Sequence, residues 1–221
     1  QELQCLVSDA AAQINAASGE RCAIFMDNGL GWIVADLALR RTGSITVPVP
    51  GYFSDTQIDH VLRRAGVDLV ITDVPESLGR SARRGFPPSQ MKLSHDTRLQ
   101  NMHLLSLEPI AGGSKPSLPT GTCKLTFTSG TTGQPKGVCL SDAVIDQVSE
   151  ALLVATEGNS HDRHLSVLPY PALLENIAGI YVTLMAGAEI CSLPLASLGF
   201  AGSSGLQPAQ LVAALDLYRP T

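Results

Sequence analysis

Apolar residues recur at the helical period most clearly after Ser54, where Ile58, Val61, Leu62 and Ala65 fall at i, i+3, i+4 and i+7. Ser54 and Gln57 have the spacing of a capping box and Gly66 that of a C-cap, so the pattern predicts a helix from about 54 to 66. The next stretch, 68–73, is an almost unbroken apolar run of strand length, the mark of a parallel strand covered on both faces. Upstream, the alternation predicts a helix over 3–17, a strand over 22–26, a helix over 32–41 closed by Gly43, and a strand over 45–49. Region 76–98 is irregular in pattern, and a further strand is expected over 102–107.

Pro109, Gly112, Gly113, Pro116, Pro119 and Gly121 crowd the segment 108–122, which reads as a connector between two α/β blocks. The domain expectation is a first block over 1–108, a connector over 109–122 and a second block over 123–221 that is incomplete at its C-terminal end. In the second block the pattern predicts a strand over 124–128, a polar loop over 129–137 and a short strand over 138–140. A helix from Ser141 to about Ala155, a strand over 164–168, a helix over 172–186, a strand over 189–193 and a helix over 208–218 follow. The fold class expected is α/β, with parallel-rich sheets flanked by helices.

With 44% hydrophobic and 16% charged residues in 221, the chain has the composition of a globular domain with a sizeable core. A net charge of −5 offers no broad cationic face, which argues against nucleic acid as a partner. Arg40-Arg41 and Arg63-Arg64 sit at predicted helix C-termini, where they complement the helix dipole. The apolar run 177–188 is too short to span a bilayer, which takes about 20 residues. Five widely spaced cysteines without a C-x-x-C suggest neither a disulfide framework nor a zinc site, and point to a reducing compartment, the cytoplasm. His161 and His164 have a spacing that could suit a metal, but no third ligand follows and they read as surface histidines. The chain opens on Gln1 without a leader, and closes just after a helical pattern, so both termini are expected to be internal to a longer protein.

The chemistry concentrates in Phe127-Thr128-Ser129-Gly130-Thr131-Thr132-Gly133-Gln134-Pro135-Lys136-Gly137, where hydroxyls, glycines and one lysine follow a predicted strand directly. Glycines let main-chain N–H groups approach an anion, hydroxyls donate to its oxygens, and Lys136 brings a positive charge to the departing group. A Walker A loop needs Ser or Thr after its lysine, whereas Gly137 follows Lys136, so that reading fails. A Ser/Thr/Gly-rich turn at the tip of a polar hairpin is the structural alternative.

Residues 127–137 closely resemble the phosphate-binding signature of the adenylate-forming superfamily, which includes acyl-CoA synthetases, firefly luciferase and nonribosomal peptide adenylation domains. Asp27-Asn28-Gly29, 32–43 and 47–49 look like the family's opening region, and 168–175 and 185–188 are similar to later segments, in the same order. The resemblance implies an ATP-dependent ligase, most simply an AMP-forming acyl-CoA synthetase. Such an enzyme converts a carboxylate and MgATP to an acyl adenylate and pyrophosphate, then transfers the acyl group to a thiol such as CoA. It implies that Thr128, Ser129, Gly130, Thr131, Thr132, Gly133 and Lys136 hold the ATP phosphates, with Lys136 stabilising charge. Ala172 stands where the family often has His, and Asp142 where a His commonly follows the serine after the loop. Ala172 and Glu175 are thereby candidates for the acyl side, Glu175 with a structural ion pair as the equal alternative. The apolar 172–174 suggests a fatty acid as the carboxylic acid, while an adenylation domain loading a carrier protein stays open. So does a non-catalytic polyphosphate-binding or scaffold module.

The family's adenine pocket, its Glu for Mg²⁺, its ribose-binding Asp and its main catalytic Lys have no counterpart within 1–221. The chain alone is therefore expected to be inactive, with no metal site of its own, and to self-associate through apolar surface.

Overall fold

The computed structural model describes residues 1–76, 78, 89–91, 99, 101–107, 115–128, 135–201 and 205–221, and it divides into two compact units. The first comprises Gln1–Met26 and Leu30–Ser141. Its elements are α1 (Glu2–Ala16), β1 (Arg21–Phe25), α2 (Leu30–Thr42), β2 (Ile45–Pro48), α3 (Asp55–Ala65) and β3 (Leu69–Thr72). They continue with β4 (Ser89–Gln90), β5 (His103–Ser106), β6 (Thr122–Thr128) and β7 (Lys136–Ser141).

These strands form one sheet in the order β4-β5-β3-β1-β2-β6-β7. Its centre is parallel: β1 pairs with β2 and β3, and β2 with β6. Both margins are antiparallel, through β3-β5, β4-β5 and β6-β7. Every residue of β1 and β3 is buried, as strands covered on both faces require. Ala23, Phe25, Val47, Val49 and Val70 share a cluster with Ile58, Val61, Leu62 and Ala65 of α3, and α2 packs against β1 and β2.

The boundary read from composition does not coincide with these units. Thr46 on β2 pairs with Lys124 on β6, which brings β6 and β7 into the first block's sheet across the proline- and glycine-rich connector. Of that connector, 109–114 lie outside the described residues. Lys115 is fastened by its ammonium to Asp68 Oδ2 at 2.6 Å and Glu20 Oε2 at 2.7 Å, and the hydrogen bond from Lys115 holds the Glu20 carboxyl below its ordinary range. Asp68 also accepts the main-chain N–H groups of Glu20 and Arg21, so one carboxylate ties the connector to the ends of β1 and β3.

Helix α3 forms as its sequence prescribes. The Ser54 hydroxyl accepts the Gln57 N–H, the Gln57 side chain accepts the Ser54 N–H, and Gly66 closes the helix at φ 64°. Losing an N-cap side chain costs about 1 kcal/mol, so Ser54→Ala is expected to lower the urea midpoint by that equivalent, while Ser54→Asp preserves it. An unchanged midpoint for the alanine variant would show that α3 is held by packing alone.

All five cysteines are free thiols. Burial, reinforced by the nearby Asp68 carboxylate, pushes the Cys22 thiol up to about 12, so it is inert as a nucleophile.

The second unit comprises Asp27–Gly29 and Asp142–Thr221. It holds α4 (Asp142–Ala155), β8 (Arg163–Leu165), a π-helix (Glu175–Val182), α5 (Thr183–Ala186) and β9 (Glu189–Cys191). A 3₁₀ turn (Leu195–Leu198), β10 (Phe200–Ala201), β11 (Gly205–Leu206) and α6 (Pro208–Tyr218) complete it. β8 and β9 pair in parallel, and Leu165, Cys191, Leu198 and Ala214 form the core beside them. The helix expected over 172–186 is present, but it carries i→i+5 geometry over most of its length. The apolar period cannot reveal that widening. Val212, Leu215 and Leu217 on α6 are exposed.

Candidate functional site

β6 and β7 are two arms of one antiparallel hairpin, with Thr126 opposite Val138, Phe127 opposite Gly137 and Thr128 opposite Lys136. The lysine expected in a polar loop is thus the first residue of β7, because the ladder continues to the Thr128–Lys136 pair. Cross-strand pairing brings these two residues together at the loop end of the hairpin, and both are exposed. Ser129, Gly130, Thr131, Thr132 and Gly133 lie outside the described residues. The base of their segment is anchored: Pro135 is buried, and its carbonyl lies 3.2 Å from His60 Nε2 on α3. Leu125 and Phe127, alternating with Thr126, point into the core cluster below. The hairpin is therefore fixed by burial behind Thr128 and Lys136 and leaves their polar ends in solvent, as anion binding requires.

The second unit holds the other candidates. Ala172 is partly buried, donates its N–H to the Pro169 carbonyl at 2.8 Å and accepts from Asn176 N–H at 3.0 Å. Glu175 opens the π-helix and is 4% exposed. Its Oε1 lies 2.8 Å from His164 Nε2 and its Oε2 accepts Leu168 N–H at 3.1 Å. Of the two readings left open for Glu175, this geometry is that of the structural pair, and His164 is not an isolated surface histidine. His161 is exposed and His164 is engaged by Glu175, so the two do not converge. The π-helix makes room for the pair at Gly179. A Cβ there would run into the Glu175 carboxylate and come within 2.7 Å of His164 Nε2.

Sequence reasoning missed Asn28 and Tyr170 as participants. Asn28 donates from Nδ2 to the Leu168 carbonyl at 2.7 Å and accepts Tyr170 N–H on Oδ1 at 2.9 Å. The buried Tyr170 hydroxyl donates to Ser192 Oγ at 2.7 Å and lies 3.1 Å from Ser166 Oγ. Burial pushes that phenol above its ordinary range, against the serine hydrogen bonds, which lower it. Asp27-Asn28-Gly29 has the composition of a turn, and contacts across 140 residues leave no trace in a single sequence.

Among the described residues no cluster of three or more His, Cys, Asp or Glu could hold a metal ion. No described helix is long and apolar enough to cross a membrane.

The family model described as AMP-binding enzyme matches residues 1–221. A (7a-methyl-1,5-dioxo-octahydro-1H-inden-4-yl)propanoyl:CoA ligase of Mycobacterium tuberculosis is 27% identical over 205 residues, covering 86% of this chain and 40% of its own. The mitochondrial medium-chain acyl-CoA ligase of Mus musculus is 26% identical over 230 residues, covering 88% and 37%. The chain thus spans about two fifths of the length of these curated relatives. Among solved structures, o-succinylbenzoate-CoA synthetase of Bacillus subtilis, in complex with an acyl-adenylate intermediate, superimposes with a TM-score of 0.71 at 16% identity. That match covers 99% of this chain and 53% of that one. At such identity the likeness is one of fold.

Proposed function

Since the chain belongs to the AMP-binding enzyme family, we propose that it is the front part of an ATP-dependent carboxylate-activating ligase whose acyl acceptor is CoA. The observation that carries this reading is the β6–β7 hairpin. It sets Thr128 and Lys136 across from each other at the two ends of the Thr/Ser/Gly-rich segment and leaves both exposed. In the proposed reaction a carboxylate oxygen attacks the α-phosphorus of ATP, the bond to the β-phosphate oxygen breaks, and pyrophosphate leaves carrying the displaced negative charge. Thr128 and Lys136, with Ser129, Gly130, Thr131, Thr132 and Gly133, are the groups proposed to hold that polyphosphate. A thiol then attacks the acyl carbon and AMP departs. Mg²⁺ would arrive bound to the ATP phosphates.

Two relatives named as acyl-CoA ligases support CoA as acceptor. A nonribosomal peptide synthetase of Aspergillus ustus, 31% identical over 120 residues and covering 54% of this chain, keeps the carrier-protein acceptor as the second reading. Supplying CoA or a phosphopantetheinylated carrier to the full-length protein separates the two. The apolar 172–174 favours a fatty acid as substrate, and the exposed Val212, Leu215 and Leu217 support self-association of the isolated chain.

The 221-residue chain by itself is expected to give no carboxylate-dependent ATP–pyrophosphate exchange. It holds the groups proposed for the phosphates but none of those the resemblance implies for adenine, ribose and metal, and binding without positioning gives no rate. Exchange clearly above background on the purified chain would show that it carries a complete adenylation site.

A further inference from the structure

Leu168 begins the segment that leads through Pro169, Tyr170, Pro171 and Ala172 into the π-helix. Both main-chain polar groups of Leu168 are taken by buried side chains: its N–H donates to Glu175 Oε2 at 3.1 Å, and its carbonyl accepts from Asn28 Nδ2 at 2.7 Å. Asn28 uses its remaining amide atom, Oδ1, to accept Tyr170 N–H at 2.9 Å. One amide head therefore bridges Pro169 as a neighbouring strand would. Proline cannot donate, so a run with prolines at 169 and 171 is poorly served by a regular ladder and depends on such side-chain partners.

The bridge is buried and itself anchored. Asn28 is 5% exposed and Tyr170 0%. Asn28 N–H donates to Asp27 Oδ1 at 2.7 Å, and the Asp27 carboxylate accepts Leu195 N–H at 3.3 Å. An amide is the one side-chain head of this size that carries a donor and an acceptor side by side. A carboxylate would accept from Tyr170 but repel the Leu168 carbonyl, and leucine would fill the space while bonding neither.

We propose that Asn28 is the positioning residue of the acyl-side segment: it fixes the 168–170 main chain, and through it the place of Ala172, so that it governs carboxylate recognition and leaves ATP use untouched. The proposal rests on the ligase reading above, and its test separates the two. In the 221-residue chain, amide hydrogen exchange followed by NMR reads the clamp directly. The Tyr170 amide should stay protected in Asn28→Asp, which keeps its acceptor, and exchange faster by roughly tenfold or more in Asn28→Leu, which does not. In the full-length protein, Asn28→Leu should raise the carboxylate KM by about tenfold while the ATP KM stays within about twofold.

Equal Tyr170 protection in wild type and Asn28→Leu would overturn the clamp, whatever the enzyme does. A fall in kcat with both KM values unchanged would also overturn the proposal, as the mark of a merely structural residue. Should Asn28→Leu fail to fold, Asn28→Asp decides: a raised carboxylate KM with Tyr170 still protected supports the role, and an unchanged KM sinks it. A wild-type full-length protein without carboxylate-dependent exchange would instead defeat the ligase reading, leaving the amide result to judge the clamp.

Discussion

A full-length protein carrying Lys136→Ala is expected to form acyl adenylate about a hundredfold more slowly than wild type, within limits of roughly ten- and a thousandfold. Lys136 is the first residue of β7 and is exposed, so its loss disturbs no packing, and the thermal midpoint should not move. In the proposed reaction, what is lost is a positive charge facing a leaving group that gains negative charge as the α–β bond breaks. At 1.36 kcal/mol per tenfold, the expected range corresponds to about 1.4–4 kcal/mol of transition-state stabilisation. The loss should appear in kcat, with the carboxylate KM unchanged, the opposite of the pattern expected for Asn28→Leu. Lys136→Arg keeps the charge on a planar, bulkier head and should recover part of the rate. ATP–pyrophosphate exchange and single-turnover adenylation are the measurements. An alanine variant with wild-type kinetics would mean that residues 128–136 are only a hairpin turn.

What the sequence disclosed was local. α3 could be placed because its apolar period, its capping box and Gly66 agree, and the structure begins and ends it within a residue of that reading. β3 could be placed because a strand buried on both faces is apolar throughout. The phosphate-binding proposal for 127–137 has a different origin: eleven residues in fixed order resemble a known signature, and no periodicity was needed. Sheet order was not legible. The pairing of Thr46 with Lys124 joins segments separated by the connector, and nothing in either strand names its partner. Nor was the π-helix, since widening a helix by one residue per turn changes which side chains meet without changing how apolar they are. Asn28 and His164 carried signals in retrospect, a polar residue at a strand's end and a histidine entering a strand. Their partners are fixed only by the folded chain.

Asp36 and Lys124 illustrate the same limit and carry the largest stability effect expected. Each is a single charge in apolar surroundings, Asp36 in the middle of α2 and Lys124 within β6, and the sequence gives no reason to join them. In the structure Lys124 Nζ lies 2.8 Å from Asp36 Oδ1 and 3.1 Å from Oδ2, with the two side chains 3% and 0% exposed. The geometry follows from strand alternation: Leu125 faces the cluster under α3, so Lys124 faces the opposite side, where α2 packs. Desolvating both charges offsets most of their attraction, so the intact pair adds little net stability, but removing one partner takes away the opposite charge that compensates the other's burial. That costs about 3–5 kcal/mol, which for a chain of this size lowers the thermal midpoint by on the order of 10 °C. Asp36→Leu and Lys124→Met should each show this loss. The double variant replaces the pair with two apolar groups and should regain much of it. Because β6 leads directly to Thr128, the single variants should also weaken adenylation in the full-length protein, and the double variant should restore it. Denaturation of the four proteins gives the coupling energy. A double variant as unstable as the sum of the singles would show that the shapes of these side chains, and not their mutual neutralisation, hold α2 against β6.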